Sequence, residues 1–593
     1  MKKLGRLFIT AALCVALSGC NAIGLPGSAE DTTYNETAAG VTATDVSGSA
    51  AAGVEDNYEE INGDFTVVSD VENGFAVSGS TYTFTKAGVY TLSGVLDGNI
   101  VIEATDEDEI ELELAGVEIT SSTNSPIYAL SADKVKITAK SDTYNVITDS
   151  RKAKTVDSEE QGEAAFYSKC DLTVKGKGTL VVSGNYNNGI HSSDDLTIKN
   201  VTIKVSAVNN AVKGNDGVKI ESGEITLIST AGDGIKTEST DISSKGVQRG
   251  CVDIYGGNLD IYAACDGIDA AYDVNIGAAS EGEEVGDVCA YIYTNTYSTY
   301  TTKADGDSYK GIKANNEINI ASGTISVKAK DDAIHANYGA TLENGSTGAG
   351  NVTISGGALT VQSGDDGIHA DYKLDISGGE INVVNAHEGL EGTLIDISGG
   401  KTVVYSTDDG VNAAKKISGV TPCVTVSGGY LDVTVPSGDV DGVDSNGNYV
   451  QTGGVVITRD GVSDTSGNMA SIDADGSITV SGGTLVCAGP FPSVNASVPC
   501  VIFGSTAGMG MGGFGGFGGR GGRGGPGSSS SSSSVTFAAG TYSVSGTDIT
   551  FTLGRSYTNL MIVSDRLSVG SSYTLSGGTT KTWTQSSLTA SAN

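Results

Sequence analysis

Asp366-Gly367-Ile368-His369 is one copy of a phrase that recurs through the middle of the chain: an acidic or amide residue, a small residue, an aliphatic residue, then a polar one. Other copies start at Asn188, Asn210, Asp233, Asp266, Lys310, Asp332, Glu388, Asp409 and Asp441. Successive starts are 22, 23, 33, 44, 22, 34, 22, 21 and 32 residues apart, so five of the nine gaps lie within a residue of 22 and the others read as 22 plus an insertion. A fixed period of this length marks a repeat architecture, because one unit cannot bury its apolar face alone and must stack on its neighbours.

Within each repeat the residues alternate in short runs, as in Val352 to Val361 and Leu374 to Val383, with Ser-Gly-Gly between the runs. Alternating β-branched residues punctuated by glycine read as strands and turns. Apart from the first residues, almost no segment carries a capped helical apolar period, which disfavours helical and leucine-rich repeats. Three strands of roughly 3 to 5 residues with their turns use about 22 residues, one coil of a parallel β-helix, and coils then stack at about 4.8 Å. In that frame Ile190, Ile235, Ile268, Ile312, Ile334, Ile368 and Leu390 form one interior column. The glycine before each aliphatic residue is expected to supply positive φ at a corner. A purely structural reading of the phrase, as a turn plus a core ladder, stands beside any functional one.

Residues 1–20 have a basic start (Lys2, Lys3, Arg6), an apolar stretch and then Leu17-Ser-Gly-Cys20, the pattern of a secretory signal ending in a bacterial lipobox. Lipid attachment at Cys20 would tether the chain to the extracellular side of the bacterial cell membrane, and a lipid anchor is the only membrane contact expected. Residues 21–58 read as a flexible linker, 59–503 as the β-helix domain, 504–534 as a Gly/Ser-rich low-complexity segment and 535–593 as a small C-terminal β-module. Seven cysteines remain after Cys14 and Cys20, an odd number. Cys487 and Cys500 are one possible pair, while others, such as Cys251 and Cys423, suit small core positions.

The 593 residues carry 71 acids against 35 bases, a formal charge of −36. A backbone binder of nucleic acid needs a basic face, so nucleic acid is excluded as a partner. A monomer is expected. The acids are not scattered: with repeats in register, Asp233, Asp266, Asp332, Asp366, Glu388, Asp409 and Asp441 share one corner, and Asp331, Asp365 and Asp408 add acidic neighbours. Two carboxylates about 5 Å apart repel by roughly 3 kcal/mol at an effective dielectric of 20, so such a column needs protonation, cations or outward splay. Ca2+, a hard cation that takes six to eight oxygens, is the expected bridge. The alternative is that the acids cap turns or pair with Lys213, Lys236 and Lys313. A second polar column holds His191, Lys213, Lys236, Asp269, Lys313, His335, His369, Glu391, Asn412 and Asp444. The histidines, with His387 beside Glu388, lack the spacing of a helical zinc site.

The stretches Ala165-Phe-Tyr-Ser-Lys-Cys-Asp-Leu-Thr-Val, Gly184-Asn-Tyr-Asn-Asn-Gly-Ile-His-Ser-Ser-Asp-Asp-Leu-Thr-Ile and Tyr309-Lys-Gly-Ile-Lys-Ala resemble the clostridial-type β-helix carbohydrate-binding proteins, a family related in fold to pectate lyases. The similarity runs from about residue 60 to 500. It implies a right-handed parallel β-helix, calcium binding, and recognition of plant cell-wall polysaccharide such as pectic acid or cellulose. Asn188, Asn210 and Lys310 stand where the pattern has an acid and put calcium there in doubt.

Pectate lyases use a Lys or Arg base beside calcium, and Lys236 and Lys313 would be the candidate catalytic residues here. A lysine base needs a depressed pKa, whereas neighbouring carboxylates raise it. The expectation is therefore a non-catalytic binding protein, with a calcium-dependent pectate lyase and a structural surface adhesin as alternatives. Tyr291, Tyr293, Tyr297, Tyr300 and Tyr309 are candidate carbohydrate platforms, since alternate residues on a strand share one face. Their other reading is packing of an insertion onto the repeats.

Overall fold

The computed structural model describes residues 60–154, 162–277, 285–294, 308–438, 440–461, 470–504 and 536–592. The leader with Cys20, the linker, Tyr297, Tyr300 and the low-complexity segment beyond Gly504 lie outside the described residues. Among the described residues the chain is all-β, with no helix and a large, mostly parallel sheet. The alternation that suggests strands has its expected consequence: Glu317–Ile320 buries Ile318 and Ile320 and turns Glu317 and Asn319 outward.

The chain divides into two units. In the first, comprising Met1–Val208, Glu221–Leu227 and Gly257–Asp260, strands of one repeat pair in parallel with their counterparts in the next. Ala164–Ser168 pairs with Asn188–Ser192, Asp171–Gly176 with Asp195–Lys199, and Thr179–Gly184 with Val201–Ala207. Its start is antiparallel: Thr66–Val68 lies against Gly88–Asp97, and Phe75–Ser78 pairs with Thr81–Phe84. Antiparallel strands there cover the open edge that a parallel stack leaves.

The second unit continues the same rule. Ile268–Ala270 pairs with Ile312–Ala314, then Ile334–Ala336, then Ile368–Ile376, then Leu390–Ile397. Ile268, Ile312, Ile334, Ile368, Leu390, Val411 and Val443 are direct register partners in succession, and all are fully buried. Burying one Ile or Leu side chain contributes about 1.5–3 kcal/mol, so this column is a principal stabiliser of the unit.

The glycine of the phrase does not have positive φ, contrary to the expectation. Positive φ belongs to the second glycine of the Ser-Gly-Gly turns, for example Gly379 (85°) and Gly400 (73°). The phrase glycine is needed for space. A Cβ on Gly389 would lie 2.2 Å from Val404 Cγ1 and 2.4 Å from Gly410 O, because the backbones of successive repeats meet there.

The C-terminal strands finish the second unit. Leu560–Ser564 runs antiparallel between Thr484–Ala488 and Cys500–Phe503, and a four-stranded antiparallel sheet follows. Phe503, Phe537, Tyr542, Phe551, Leu560 and Trp583 form one core with Ile457 and Val486 of the preceding repeats. Trp583 Nε1 donates to Gln585 Oε1, and Gln585 Nε2 donates to the Cys500 carbonyl. Cys487 and Cys500 are both free and buried. With one strand between them they lie about 9.6 Å apart in the pairing direction, beyond the Cα separation a disulfide spans.

Candidate functional site

Parallel pairing sets the two polar columns side by side. Lys213, Lys236, Asp269, Lys313, His335, His369, Glu391, Asn412 and Asp444 are successive register partners. The acid column beside them performs a backbone task. Asp366 N–H donates to Asp332 Oδ1 at 3.0 Å, Asp266 N–H to Asp233 Oδ1 at 3.0 Å, and Asp441 N–H to Asp409 Oδ1 at 2.7 Å. Asn210 Oδ1 accepts from Asp233 N–H in the same way, so an amide substitutes for the acid without loss of the ladder. One carboxylate oxygen thus ties the corner of a repeat to the next, and the other is left for a cation.

At the start of the second unit that cation is lysine. Lys236 Nζ lies 2.9 Å from Asp233 and 2.6 Å from Asp269, and Lys313 Nζ lies 3.4 Å from Asp266 and 3.2 Å from Asp269. Burial works against the charge on both lysines, but the flanking carboxylates outweigh it and raise their pKa. Lys310, the break in the acid column, turns its ammonium onto Asp332 and Asp331. Asp233, Asp266 and Asp269 also bring ligand atoms within 4.8 Å of one another, as do Asp332, His335 and His369, so at this end an ammonium group and a metal ion would compete for the same oxygens.

Further along the column the partners of the acids are imidazoles. His335 Nδ1 meets Asp332 Oδ2 at 2.5 Å, and His369 Nδ1 lies 2.9 Å from Asp366 Oδ2. His369 Nε2 is 3.2 Å from Asp371 Oδ1 and 3.0 Å from Glu391 Oε2, and Lys416 Nζ is 2.8 Å from Glu391. Burial alone would lower the His369 pKa. Hydrogen bonds to Asp366 and Asp371 and the charges of Glu391 and Asp332 lift it to about 10. Burial likewise opposes ionisation of Asp371, but its bonds to His335 and His369 hold it well below the usual carboxylate range.

Lys416 pairs with Glu391, the next residue of the column, and His387 lies 3.6 Å from Asp408. Among the described residues no Lys, Arg or His pairs with Asp441 or Asp444. Burial, with Asp409, Asp473 and Asp444 nearby, pushes Asp441 up to about 7; burial with Asp473 pushes Asp444 up to about 6. Glu388 is raised to about 8 by burial and by Glu391, and its Oε2 is buried without a hydrogen-bond partner. His387, Glu388 and Asp408 bring ligand atoms within 4.8 Å of one another, as do Asp365, Asp366 and His387. This acid-rich end, with the Glu388 Oε2 left without a hydrogen-bond partner, offers oxygens to a hard cation.

Tyr291 and Tyr293 share the outer face of Val288–Thr294 and are half-buried. Tyr291 sits 6.0 Å from the Tyr262 ring, and Lys328 lies 5.5 Å over Tyr293. Tyr309 is 2% exposed and offers no platform, since its side chain packs inward under Lys330. Asp371 and Lys416 escape a reading by repeats because both follow the phrase rather than fall in it. Tyr338 and Tyr372, at the corner just past the second column, were missed for the same reason; their rings lie 6.1 Å apart.

A solved structure of the polysaccharide lyase-like protein from C. thermocellum, a gadolinium derivative, is 38% identical to this chain; the match covers 38% of this chain and 86% of that one, with a TM-score of 0.32. A carbohydrate-binding domain-containing protein of Acetivibrio thermocellus is 42% identical over 142 residues, 23% of this chain; the chain spans about half the length of that relative, 50%. A family profile described as carbohydrate-binding domain-containing protein matches residues 78–350 and 346–434, more than half of the sequence. The chain belongs to this family of carbohydrate-binding domain-containing proteins.

Proposed function

We propose that the chain binds plant cell-wall polysaccharide, pectic acid or cellulose, without cleaving it, on a right-handed parallel β-helix finished by a small C-terminal β-module. Family membership supports the ligand class, and the parallel pairing of strands with their counterparts in the next repeat supports the solenoid. The observation that carries the non-catalytic reading is the clamping of Lys236 and Lys313 between carboxylates. A base must shed its proton near neutral pH, and these two ammonium groups are held charged. Calcium belongs in this reading at Glu388, Asp441 and Asp444, where it would offset carboxylates crowded by other carboxylates. The leader supports attachment through a lipid on Cys20, on the outer side of a bacterial membrane.

Incubation with polygalacturonate and Ca2+ tests the reading directly. Absorbance of an unsaturated uronate product should stay flat while the protein is retained on insoluble pectate or cellulose. Rising absorbance would establish a lyase instead, and no retention on either solid would leave a structural adhesin.

A further inference from the structure

The corner after the second polar column carries an aromatic pair that neither the repeat phrase nor the family assignment points to. Tyr338 follows Ile334–Ala336 and opens the antiparallel hairpin formed by Tyr338–Thr341 and Thr347–Ala349. Tyr372 lies one repeat on, within Ile368–Ile376. The two rings are 6.1 Å apart with planes at 51°, and Tyr338 is 47% exposed although it lies against an ordered, hydrogen-bonded framework. Two contacts hold it there. Its N–H donates to Asp371 Oδ2 at 2.8 Å, and Gly350, which closes the hairpin, leaves no room for a side chain: an added Cβ would meet Tyr338 Cβ at 2.7 Å.

The hairpin is itself tied down. Thr240 N–H donates to Glu343 Oε2 at 2.8 Å, Glu343 N–H donates to Thr240 Oγ1 at 2.7 Å, and Asn344 Nδ2 donates to Gln248 Oε1 at 2.9 Å. A ring fixed before binding loses little freedom when a ligand stacks on it.

Asp371 joins this aromatic corner to the charged network. Its Oδ2 holds the Tyr338 backbone, while its Oδ1 lies 3.2 Å from His369 Nε2 and 3.5 Å from His335 Nε2. Glu391 and Lys416 complete the set. Lys416 Nζ also lies 3.0 Å from His369 Nε2, so Asp371, Glu391, His369 and Lys416 form one connected set of donors and acceptors.

We propose that Tyr338 and Tyr372, flanked by Asp371, His369, Glu391 and Lys416, form a binding subsite for an uncharged pyranose of a neutral polysaccharide. The ring of Tyr338 packs against the C–H face of the sugar, and Asp371 and Lys416, the part-exposed members of the set, bond its hydroxyls. A uronate would instead need a cation free to receive its carboxylate, and Lys416 is already paired with Glu391. The proposal rests on the glycan-binding reading above and narrows it to one place and one ligand class.

Titration calorimetry of the full chain with cellohexaose and, separately, hexagalacturonate tests it. Tyr338→Ala should weaken cellohexaose binding about tenfold or more, whereas Tyr338→Phe, which keeps the ring, should stay within about twofold of the parent. Unchanged thermal melting of both variants shows that the fold is intact. If the parent binds cellohexaose and Tyr338→Ala binds it equally well, the subsite is refuted while the glycan-binding function stands. A loss confined to hexagalacturonate refutes the ligand class. If the parent binds neither oligosaccharide nor insoluble cellulose or pectate, the functional reading fails and the subsite with it.

Discussion

The imidazole of His335 stacks on that of His369, with ring centroids 4.2 Å apart and planes 29° from parallel. Two potential cations tolerate this approach because Asp332, Asp366, Asp371 and Glu391 surround them. The stack marks the point where the column changes from lysine-balanced to acid-rich.

His369 gives the stack a pH signature. Its folded pKa of about 10 lies above the ordinary 6.5, so its stabilisation is complete below about pH 6.5 and is lost as pH rises through about 10. Chemical denaturation from about pH 7 to about 10.5 should show the parent losing stability faster than His369→Gln, with the gap closing at the alkaline end. A pH-independent difference would mean that the ring contributes by packing alone.

The two kinds of acid should respond oppositely to amidation. Asp332→Asn keeps an oxygen for the Asp366 N–H but removes the carboxylate that Lys310 and His335 share, leaving Lys310 only Asp331, and breaking a buried ion pair typically costs about 3–5 kcal/mol. Asp441→Asn keeps the bond from Ala470 N–H and removes a charge set among acids, so in chelator it should be neutral or stabilising. Urea melts of the two variants side by side decide this.

The acid-rich end should be pH-sensitive in the opposite range to His369. Glu388, Asp441 and Asp444 have folded pKa values of about 8, 7 and 6, above their ordinary values. Their favourable contribution is complete below about pH 4 and is lost as pH climbs through those values, so chelated protein should melt at lower temperature at about pH 8 than at about pH 5. Calcium should restore the melting temperature at the higher pH. Equal melting with and without calcium would remove the metal from the proposed function.

Gly389→Ala and Gly410→Ala each force a methyl against a valine Cγ1 at 2.2 Å and 2.1 Å respectively. Overpacking of this kind costs roughly 1–3 kcal/mol and should appear in denaturant melts. Gly339→Ala would meet nothing within 4 Å, but its φ of +86° strains any side chain, so it probes backbone strain without a clash. The two mechanisms differ in kind, because the added methyl at Gly389 or Gly410 also meets a backbone carbonyl of the next repeat at 2.4 or 2.6 Å, whereas at Gly339 it meets nothing.

The 22-residue spacing, the aliphatic column and the adjacency of the two polar columns were all legible in the sequence. A parallel ladder stacks like on like, so position within the repeat carries over directly into position in space. Less was legible wherever contact depends on side-chain reach. The acids at Asp233 and Asp441 look alike in the phrase, yet Lys236 occupies one and no cation pairs with the other among the described residues. Nor does any spacing announce Lys416, which reaches Glu391 from outside the repeat.

What the sequence alone determined is the all-β character and the register, because periodic apolar residues leave few ways to bury themselves. Only the tertiary structure decided which carboxylates already hold a cation, that Tyr309 is buried, and that Tyr338 and Tyr372 meet at an exposed corner. The physical reason is range: register follows from local alternation repeated many times, whereas ion pairing and exposure depend on single side chains brought together by insertions that keep no period.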